Sequence, residues 1–323
     1  MAKDNPLISC IMPVFNAEKF LVGSIESILA QTLGNFEFII INDGSTDQSA
    51  EIIQSYCQRD PRIILIENIK NLGLKKTRNL GIEKARGDYI ALMDSDDISF
   101  SERFEKQVKY LQVYQNISVL GTSFIGIDEY GNQKGLQTFP SSPGLVRWGL
   151  FFGTSIANPT VMMKSNIFTV HKFRYQVEQS EDYNLWVRLS ADFNMANLET
   201  PLLYYRLHPD NTSKRFKAFQ RAVSFSNQEL LINKYINHHL NEEILLGLRH
   251  SDQISSMRIA IQVLIVLIKL YHVTIQWQLT DEEKKKIAQL AARKMRSIWY
   301  YQKYNLLLAP IMVYSWYLMV RNQ

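Results

Sequence analysis

The sequence predicts an α/β fold, with a mainly parallel central sheet flanked by helices and then a C-terminal helical module. Three observations predict it. From Pro6 to about Ser118, apolar runs of strand length alternate with amphipathic segments of helix length. The runs are continuously apolar and end in polar or turn residues, as strands buried on both faces do. From about Arg215 onward the glycines almost vanish and helical spacing takes over.

Taken in order, Leu7 to Val14, Phe36 to Ile41, Arg62 to Glu67 and Tyr89 to Met93 are the strand-length runs, rich in Ile, Leu and Val. Between them, Leu21, Ile25, Ile28 and Leu29 keep helical spacing, as do Ala50, Ile53 and Tyr56. Ser45 with Gln48 is placed as a capping box for the second helix, and Ser99 with Glu102 for a third, whose inward stripe is Phe104, Val108 and Leu111. Past residue 118 the runs shorten, with Gly and Pro between them, and Ser123 to Ile127, Pro159 to Met163 and Met195 to Tyr205 predict a less regular mixed region suited to catalytic loops. The resulting domains are 1–214 and 215–323.

Composition narrows the function classes. With 323 residues and 46% hydrophobic content the chain is neither disordered nor a disulfide miniprotein. Its two cysteines, Cys10 and Cys57, cannot build a disulfide framework and lie in apolar-patterned stretches, which fits reduced thiols in a cytosol. Met1 to Asn16 lacks the basic end, long apolar centre and small-residue cleavage site of a secretory signal, so no export is expected.

The net charge of +5 is confined to one place. Residues 281–323 hold eight Lys/Arg against three acids, leaving 28 of each sign elsewhere, and the same tail carries Trp299, Tyr300, Tyr301, Tyr304, Tyr314, Trp316 and Tyr317. Basic plus aromatic is an interfacial composition. Ile259 to Leu270 contains Gln262 and Lys269, and Leu306 to Val320 contains Pro310 and falls short of the ~20 residues of a span. These segments are read either as helices lying on an anionic membrane surface or as core helices packing on the catalytic domain. With basic residues absent as an excess elsewhere, nucleic-acid binding is disfavoured.

Chemistry-bearing residues gather at the carboxyl ends of the strands. Pro13-Val14-Phe15-Asn16 ends the first, Asn42-Asp43-Gly44-Ser45 the second, and Asp94-Ser95-Asp96-Asp97 the fourth. In an open parallel sheet these ends face one crevice where nucleotides bind. Three carboxylates at the end of a buried strand repel unless a cation balances them, and Mg²⁺ and Mn²⁺ favour such oxygen ligands together with phosphate oxygens. If strand geometry continues, Asp94 and Asp96 share one side and serve ribose and metal of one ligand. A capping cluster before the next helix is the alternative for this segment taken alone. Gly44 permits a sharp turn, and Asp43 offers an acceptor to an imide N–H.

Five motifs in order, Met12-Pro13-Val14-Phe15-Asn16, Asn42-Asp43-Gly44-Ser45-Thr46-Asp47, Asn71-Leu72-Gly73 with Arg78-Asn79 and Gly81, Gly87-Asp88-Tyr89-Ile90, and Asp94-Ser95-Asp96-Asp97, resemble those of family 2 glycosyltransferases of bacterial surface-polysaccharide type. The likeness covers residues 6–210. It implies the GT-A nucleotide-sugar-binding domain, a hexosyltransferase-type activity, a nucleotide-sugar donor, usually a UDP-sugar, and inversion at the anomeric carbon.

By that resemblance Pro13, Phe15, Asn16 and Glu18 line the nucleoside pocket and Asp43 holds uracil. Arg78 approaches the base or diphosphate, Asp94 and Ser95 face the ribose and donor sugar, and Asp96 holds Mn²⁺ or Mg²⁺, while Asp97 is structural. Ser180-Glu181-Asp182-Tyr183 resembles the family's Glu-Asp segment, with Asp182 as the base and Glu181 second. Both acids also suit a helix N-terminus. Tyr204-Tyr205-Arg206-Leu207-His208-Pro209 with Asn211-Thr212-Ser213 resembles the segment that closes over the diphosphate, giving Arg206 to phosphate and His208 to the metal. Asn158-Pro159-Thr160 resembles a loop near the sugar and is also an ordinary turn composition.

Three readings follow. The first is a metal-dependent glycosyltransferase acting on a saccharide or polyprenyl-linked acceptor, peripheral at the cytosolic face of the membrane through its tail. The second is a decayed glycosyltransferase domain serving as a membrane-peripheral scaffold, against which stand the intact Asp43, Asp96 and Asp182. A sugar-nucleotide pyrophosphorylase is the third, and no Gly-rich triphosphate loop is found for it near the N-terminus.

Overall fold

The computed structural model describes residues 5–209, 217–302 and 308–321. Asn211-Thr212-Ser213, the 214/215 boundary, Lys303 and Tyr304 lie outside the described residues, as do the side chains of Trp316 and Arg321. In chain order the elements up to residue 207 are β1 (Ile8–Val14), α1 (Glu18–Leu29), β2 (Phe36–Asn42), α2 (Ser49–Cys57), β3 (Ile63–Glu67), α3 (Leu74–Lys84), β4 (Tyr89–Leu92), β5 (Ile98–Ser99), α4 (Arg103–Val113), β6 (Ile117–Asp128), β7 (Gln133–Gln137), α5 (Pro143–Leu150), β8 (Met162–Lys164), α6 (Asn166–Thr169), α7 (Glu181–Leu189) and β9 (Asn194–Leu207). Then come α8 (Lys217–Tyr235), α9 (Glu242–Arg249), α10 (Met257–Thr274), α11 (Asp281–Tyr301) and α12 (Ala309–Arg321).

The chain divides into two compact units, residues 1–141 with 156–220 and residues 142–155 with 221–323. The first contains the sheet, in the order β3-β2-β1-β4-β8-β6-β9-β5 with β7 beside β6. β3, β2, β1 and β4 run parallel. Beyond β4 the sheet is mixed, since β8 is antiparallel to both β4 and β6 while β6 and β9 are parallel. Strand order reverses between β1 and β4, and this reversal opens the crevice at the carboxyl ends of β1, β2 and β4.

Every residue of β1 and β2 is buried, which explains their unbroken apolar pattern. On one face Ile8, Cys10 and Met12 share a core with Leu21, Ile25 and Ile28 of α1, Ile53 and Tyr56 of α2, and Phe104, Val108 and Leu111 of α4. On the other face α3 approaches so closely that a Cβ at Gly81 would lie 2.6 Å from Ile11 Cγ2. The sequence motif containing Gly81 is therefore a helix packed on β1, an element its weak apolar periodicity did not announce.

Neither predicted capping box forms. The Ser45 hydroxyl accepts the Asn16 N–H at 3.0 Å, and Asp47 Oδ1 accepts the Ser49 N–H at 3.0 Å where α2 begins. Ser99 is drawn into β5, which pairs with β9, and Gln31 Oε1 instead accepts the Phe104 N–H at 2.9 Å in the first turn of α4. Side chains from distant elements outcompete the local cap in both places.

In the second unit, α5 joins the C-terminal helices, so this unit reaches into a segment that the sequence did not separate from the first. Glu283 explains the junction. Its Oε1 accepts the Ser142 hydroxyl at 2.7 Å and the Gly144 N–H at 2.7 Å at the start of α5. Its Oε2 closes a capping box with Thr280 at the start of α11. α10 has a mean hydropathy of 1.6 over 18 residues, long and apolar enough for a span, with half of it buried. Val263, Leu264, Val266, Leu267 and Leu270 form its buried face, and Ile261 and Ile265 are exposed.

Glu283→Ala removes acceptors from two helix starts at once. It is expected to lower unfolding free energy by about 2 kcal/mol in chemical denaturation, with Glu283→Gln costing about half as much. A change within about 0.3 kcal/mol would show that the two caps contribute nothing.

Candidate active site

The site is built on the first unit, from loops that follow β1, β2 and β4. The chain leaves β1 at Val14, exposes Phe15, and turns at Asn16 with a positive φ of 49°. Asn16 Oδ1 accepts the Thr46 N–H at 2.8 Å, Glu18 Oε2 accepts the Gln48 N–H at 2.9 Å, and the Glu18 N–H donates to Asp47 Oδ2 at 3.0 Å. The two loops are thus stapled together. Pro13 is the buried base of this wall, Phe15 its exposed aromatic face, and Asn16 and Glu18 hold its shape.

Asp43 is buried and accepts three hydrogen bonds. Oδ1 receives Asn68 Nδ2 at 2.7 Å and the Leu72 N–H at 2.9 Å, and Oδ2 receives the Gly73 N–H at 3.0 Å. The carboxylate therefore anchors the approach to α3. Of about four acceptor positions on a carboxylate, one remains, on Oδ2, for an outside donor. Gly44 has φ 71°, and a Cβ there would lie 2.6 Å from the Lys70 backbone, so this turn requires glycine.

β4 stops at Leu92, and residues 94–97 form a turn instead of a continued strand. The expected sharing of one side by Asp94 and Asp96 is accordingly replaced by two separate partnerships. Asp94 Oδ1 accepts from Arg78 Nη2 at 3.0 Å. Asp96 Oδ2 lies 2.8 Å from His208 Nε2. Ser24 of α1 pins the turn by donating to the carbonyls of Ser95 and Asp97, and the Ser95 side chain is half-buried. Asp97 is buried, takes the Arg206 N–H at 2.8 Å, and has no bond to its Oδ2 among the described residues. Burial pushes its carboxyl well above the usual range, with Asp96 and Asp94 adding to the effect, as suits a structural role.

Arg78 is enclosed. Its Nη1 pairs with Glu181 and its Nη2 with Asp94, and its guanidinium carbon lies 5.6 Å from the Tyr175 ring centroid. Burial works to lower its pKa, but the adjoining Asp94 and Glu181 charges outweigh this and raise it, so Arg78 stays cationic. In this structure its charge is held between two carboxylates, Asp94 and Glu181.

Glu181 and Asp182 open α7 after Ser180, whose φ is 54° and whose side chain caps nothing. Burial pushes Glu181 up to about 7, Arg78 pulls it down, and Asp182 and Asp94 push it up. Asp182 is raised by burial, against the Tyr183 N–H, which donates to its Oδ1 at 2.7 Å, and against Arg78. No side chain among the described residues bonds Asp182. It is the acid of this pair left available.

Arg206 is likewise engaged by backbone carbonyls. Nε donates to the Asp96 carbonyl at 2.8 Å and Nη1 to the carbonyls of Asp128 and Glu129, with the guanidinium 4.5 Å from the Phe20 ring centroid. Its Nε and Nη1 donors hold the acidic turn to the end of β6. Three contributors carry no role in the sequence reading: Asn68 behind Asp43, Tyr175 beside Arg78, and Asn79, which bonds the Tyr175 backbone in both directions. Asn79 sat in a quoted motif. Tyr175 lies in an irregular segment with no pattern to mark it.

Asp96 and His208 fit a divalent ion. Neighbouring ligands of an octahedral ion with ~2.1 Å bonds are about 3 Å apart, close to the observed separation. Among the described residues no group of three or more His, Cys, Asp or Glu could hold a metal.

Comparison with known proteins bears on the whole arrangement. The profile of Glycosyl transferase family 2 matches residues 9–176. An uncharacterised glycosyltransferase of Methanocaldococcus jannaschii is 39% identical over 227 residues, covering 69% of this chain and 78% of that one. The O-antigen biosynthesis glycosyltransferase WbnJ of Escherichia coli is 32% identical over 239 residues, 73% of this chain and 93% of that one. Among solved structures, S. aureus TarS 1–349 in complex with UDP-GlcNAc superposes with a TM-score of 0.60 at 16% identity over 92% of this chain and 89% of that one. The mannosyltransferase PcManGT of Pyrobaculum calidifontis, in complex with GDP-Man and Mn²⁺, does so with 0.54 at 12% identity over 99% and 88%. The fold is that of the GT-A glycosyltransferases, and the chain belongs to the family 2 glycosyltransferases.

Proposed function

We propose that this glycosyltransferase transfers a sugar with inversion from a nucleotide-sugar, a UDP-sugar by preference, to a saccharide or polyprenyl-linked saccharide in surface-polysaccharide synthesis. The observation that carries the reading is the separation of two acids at one crevice: Asp96 paired with His208, and Asp182 at the head of α7 with no side-chain partner among the described residues. One can serve the leaving group while the other serves the incoming hydroxyl. WbnJ supports the polysaccharide assignment, and the donors bound by TarS and PcManGT support a nucleotide-sugar.

Phe15 offers its exposed ring to the nucleobase, and Asp43 Oδ2 keeps one acceptor for an imide N–H. Ser95, half-buried beside the acidic turn, faces the ribose and donor sugar. Asp96 and His208 would hold a divalent ion, which supplies charge stabilisation to the departing diphosphate. The imidazole nitrogen favours Mn²⁺ over the oxygen-seeking Mg²⁺. Asp182 takes the proton of the acceptor hydroxyl as its oxygen bonds the anomeric carbon, while the bond to the diphosphate oxygen breaks and that oxygen keeps the electron pair. Burial keeps Asp182 more basic than a solvated aspartate, which suits this task.

A surface role for the second unit extends the reading to the cytosolic face of a membrane. Lys285, Lys286, Arg293 and Tyr300 lie on the exposed side of α11, while Ile287, Ala291, Met295 and Ile298 are buried. Such a stripe gains about 1 kcal/mol per basic residue near anionic lipid.

Calorimetric titration of UDP, GDP and CDP with and without Mn²⁺ is expected to give Mn²⁺-dependent UDP binding that Asp96→Ala weakens by at least about tenfold. Absence of nucleotide binding by folded protein would remove the enzyme reading in favour of a scaffold. Asp182→Asn is expected to cut turnover about 1,000-fold while leaving UDP affinity within about threefold, and a near-normal rate would exclude it as the base. In flotation with phosphatidylglycerol vesicles, charge reversal at Lys285, Lys286 and Arg293 should abolish co-migration; unchanged flotation rules this stripe out.

A further inference from the structure

The two loops that carry the acids are connected through one helix face. Lys75, Arg78 and Asn79 of α3 stand three and four residues apart, so they project from the same side. Each takes hold of the segment leading into α7. Lys75 Nζ pairs with Glu178 Oε1 at 2.7 Å, and Arg78 pairs with Glu181. Asn79 Nδ2 donates to the Tyr175 carbonyl at 2.9 Å, and the Tyr175 N–H returns a bond to Asn79 Oδ1 at 3.0 Å. Arg78 also reaches Asp94 on the donor side.

This segment has little structure of its own. Residues 171–180 contain no helix or strand. Ser180 is held in the left-handed region and makes no cap to the helix it precedes. Local sequence therefore does not fix where α7 begins, and α3 supplies the missing restraints. Tyr175 is itself buried, with its hydroxyl donating to Asn158 Oδ1 at 3.3 Å.

We propose that the Lys75–Arg78–Asn79 face of α3 is a positioning device for the general base, in which Arg78 ties the first turn of α7 to the donor-side carboxylate Asp94 and thereby sets the place of Asp182 against the donor sugar. The inference rests on Asp182 as base and adds the residue that aims it. Arg78 is a positioning residue: both of its ionic partners are protein carboxylates.

The titratable groups facing Asp182 give the device an electrostatic signature. They are Arg78 from α3, Glu181 from its own helix, Asp94 from the turn after β4, and the neutral phenols of Tyr175 from the preceding segment and Tyr205 from β9. Arg78 is the cation among them and holds the acids down. Its removal raises their proton affinity, so more of the base is protonated at a given pH and the acid limb of the rate profile moves to higher pH.

The test compares wild type, Arg78→Lys and Arg78→Gln in the full chain by three measurements. In amide hydrogen exchange, Arg78→Gln is expected to speed exchange over 175–183 by at least about tenfold while β1 and β2 keep their protection, with Arg78→Lys between the two. UDP binding in Mn²⁺ is expected to stay within about threefold, because the Arg78 charge is taken up by Asp94 and Glu181. In UDP release from UDP-glucose, UDP-galactose and UDP-GlcNAc, the acid limb is expected to rise by about one pH unit in Arg78→Gln and to return most of the way in Arg78→Lys.

Unchanged exchange over 175–183, an unmoved acid limb, or a UDP affinity weakened by about tenfold or more, which would put Arg78 on the nucleotide, each overturns the proposal. Should Arg78→Gln not fold, Asn79→Ala cuts the Tyr175 link without unpairing a buried charge. Local exchange over 173–177 must then rise, and an unchanged rate overturns the device. A wild type that binds no nucleotide counts against the enzymatic reading, and the exchange measurement still decides the restraint.

Discussion

Asp94, Asp96, Asp97, Glu181 and Asp182 are brought to one crevice, Asp97 and Glu181 buried and the others half-buried, and much of the surrounding structure answers that crowding. Two like charges 4 Å apart repel by about 4 kcal/mol at an effective dielectric of ~20. Four of the five acids are held by partners, and Asp182 by the Tyr183 N–H alone. Arg78 stands between Asp94 and Glu181, His208 takes Asp96, and the Arg206 N–H takes Asp97. Behind the turn lies Arg103, fully buried, donating to the carbonyls of Leu92 and Val161 and to Gln107 Oε1. Burial lowers it to about 10, which leaves it charged at neutral pH. Its cation sits under the acidic turn while its hydrogen bonds join the ends of β4 and β8.

The same economy of roles runs through the donor side. Asp43 orders the approach to α3 while keeping one acceptor open, and Asn16 and Glu18 brace the loop after β2 against the loop after β1. Bracing of this kind holds a pocket's shape before a ligand arrives, so less ordering remains for binding. Helix α3 joins the two sides: its start is held by Asp43, and its middle holds the segment before Asp182. The loops after β1 and β2 and the first turn of α7 are thereby tied to one helix.

Much of this was legible in the sequence. Strands buried on both faces leave continuous apolar runs, and β1, β2, β3 and β4 fall within a residue or two of the predicted limits. The motif residues were also gathered correctly at the strand ends, because the carboxyl edge of a parallel sheet is a property of topology. What the sequence concealed was partnership. Arg78 was expected near the base or diphosphate and Arg206 near phosphate, and a sequence does not show the carboxylates and carbonyls that hold them in this structure. The predicted caps at Ser45 and Ser99 failed for the same reason, since Asp47 and Gln31 reach those amides from places that local spacing does not see. α3 was missed because it packs through Gly81 and polar contacts instead of an apolar stripe.

The central claim is that Asp96 and His208 form the metal side of the crevice and Glu181 with Asp182 the acceptor side. It is tested most directly by anomalous diffraction from crystals soaked with Mn²⁺ and UDP. The account predicts one Mn²⁺ peak bridging Asp96, His208 and the diphosphate, with Arg78 still between Asp94 and Glu181. A peak at Glu181 and Asp182, or an ordered UDP whose diphosphate is bound by Arg78 or Arg206 in place of an ion, would contradict it.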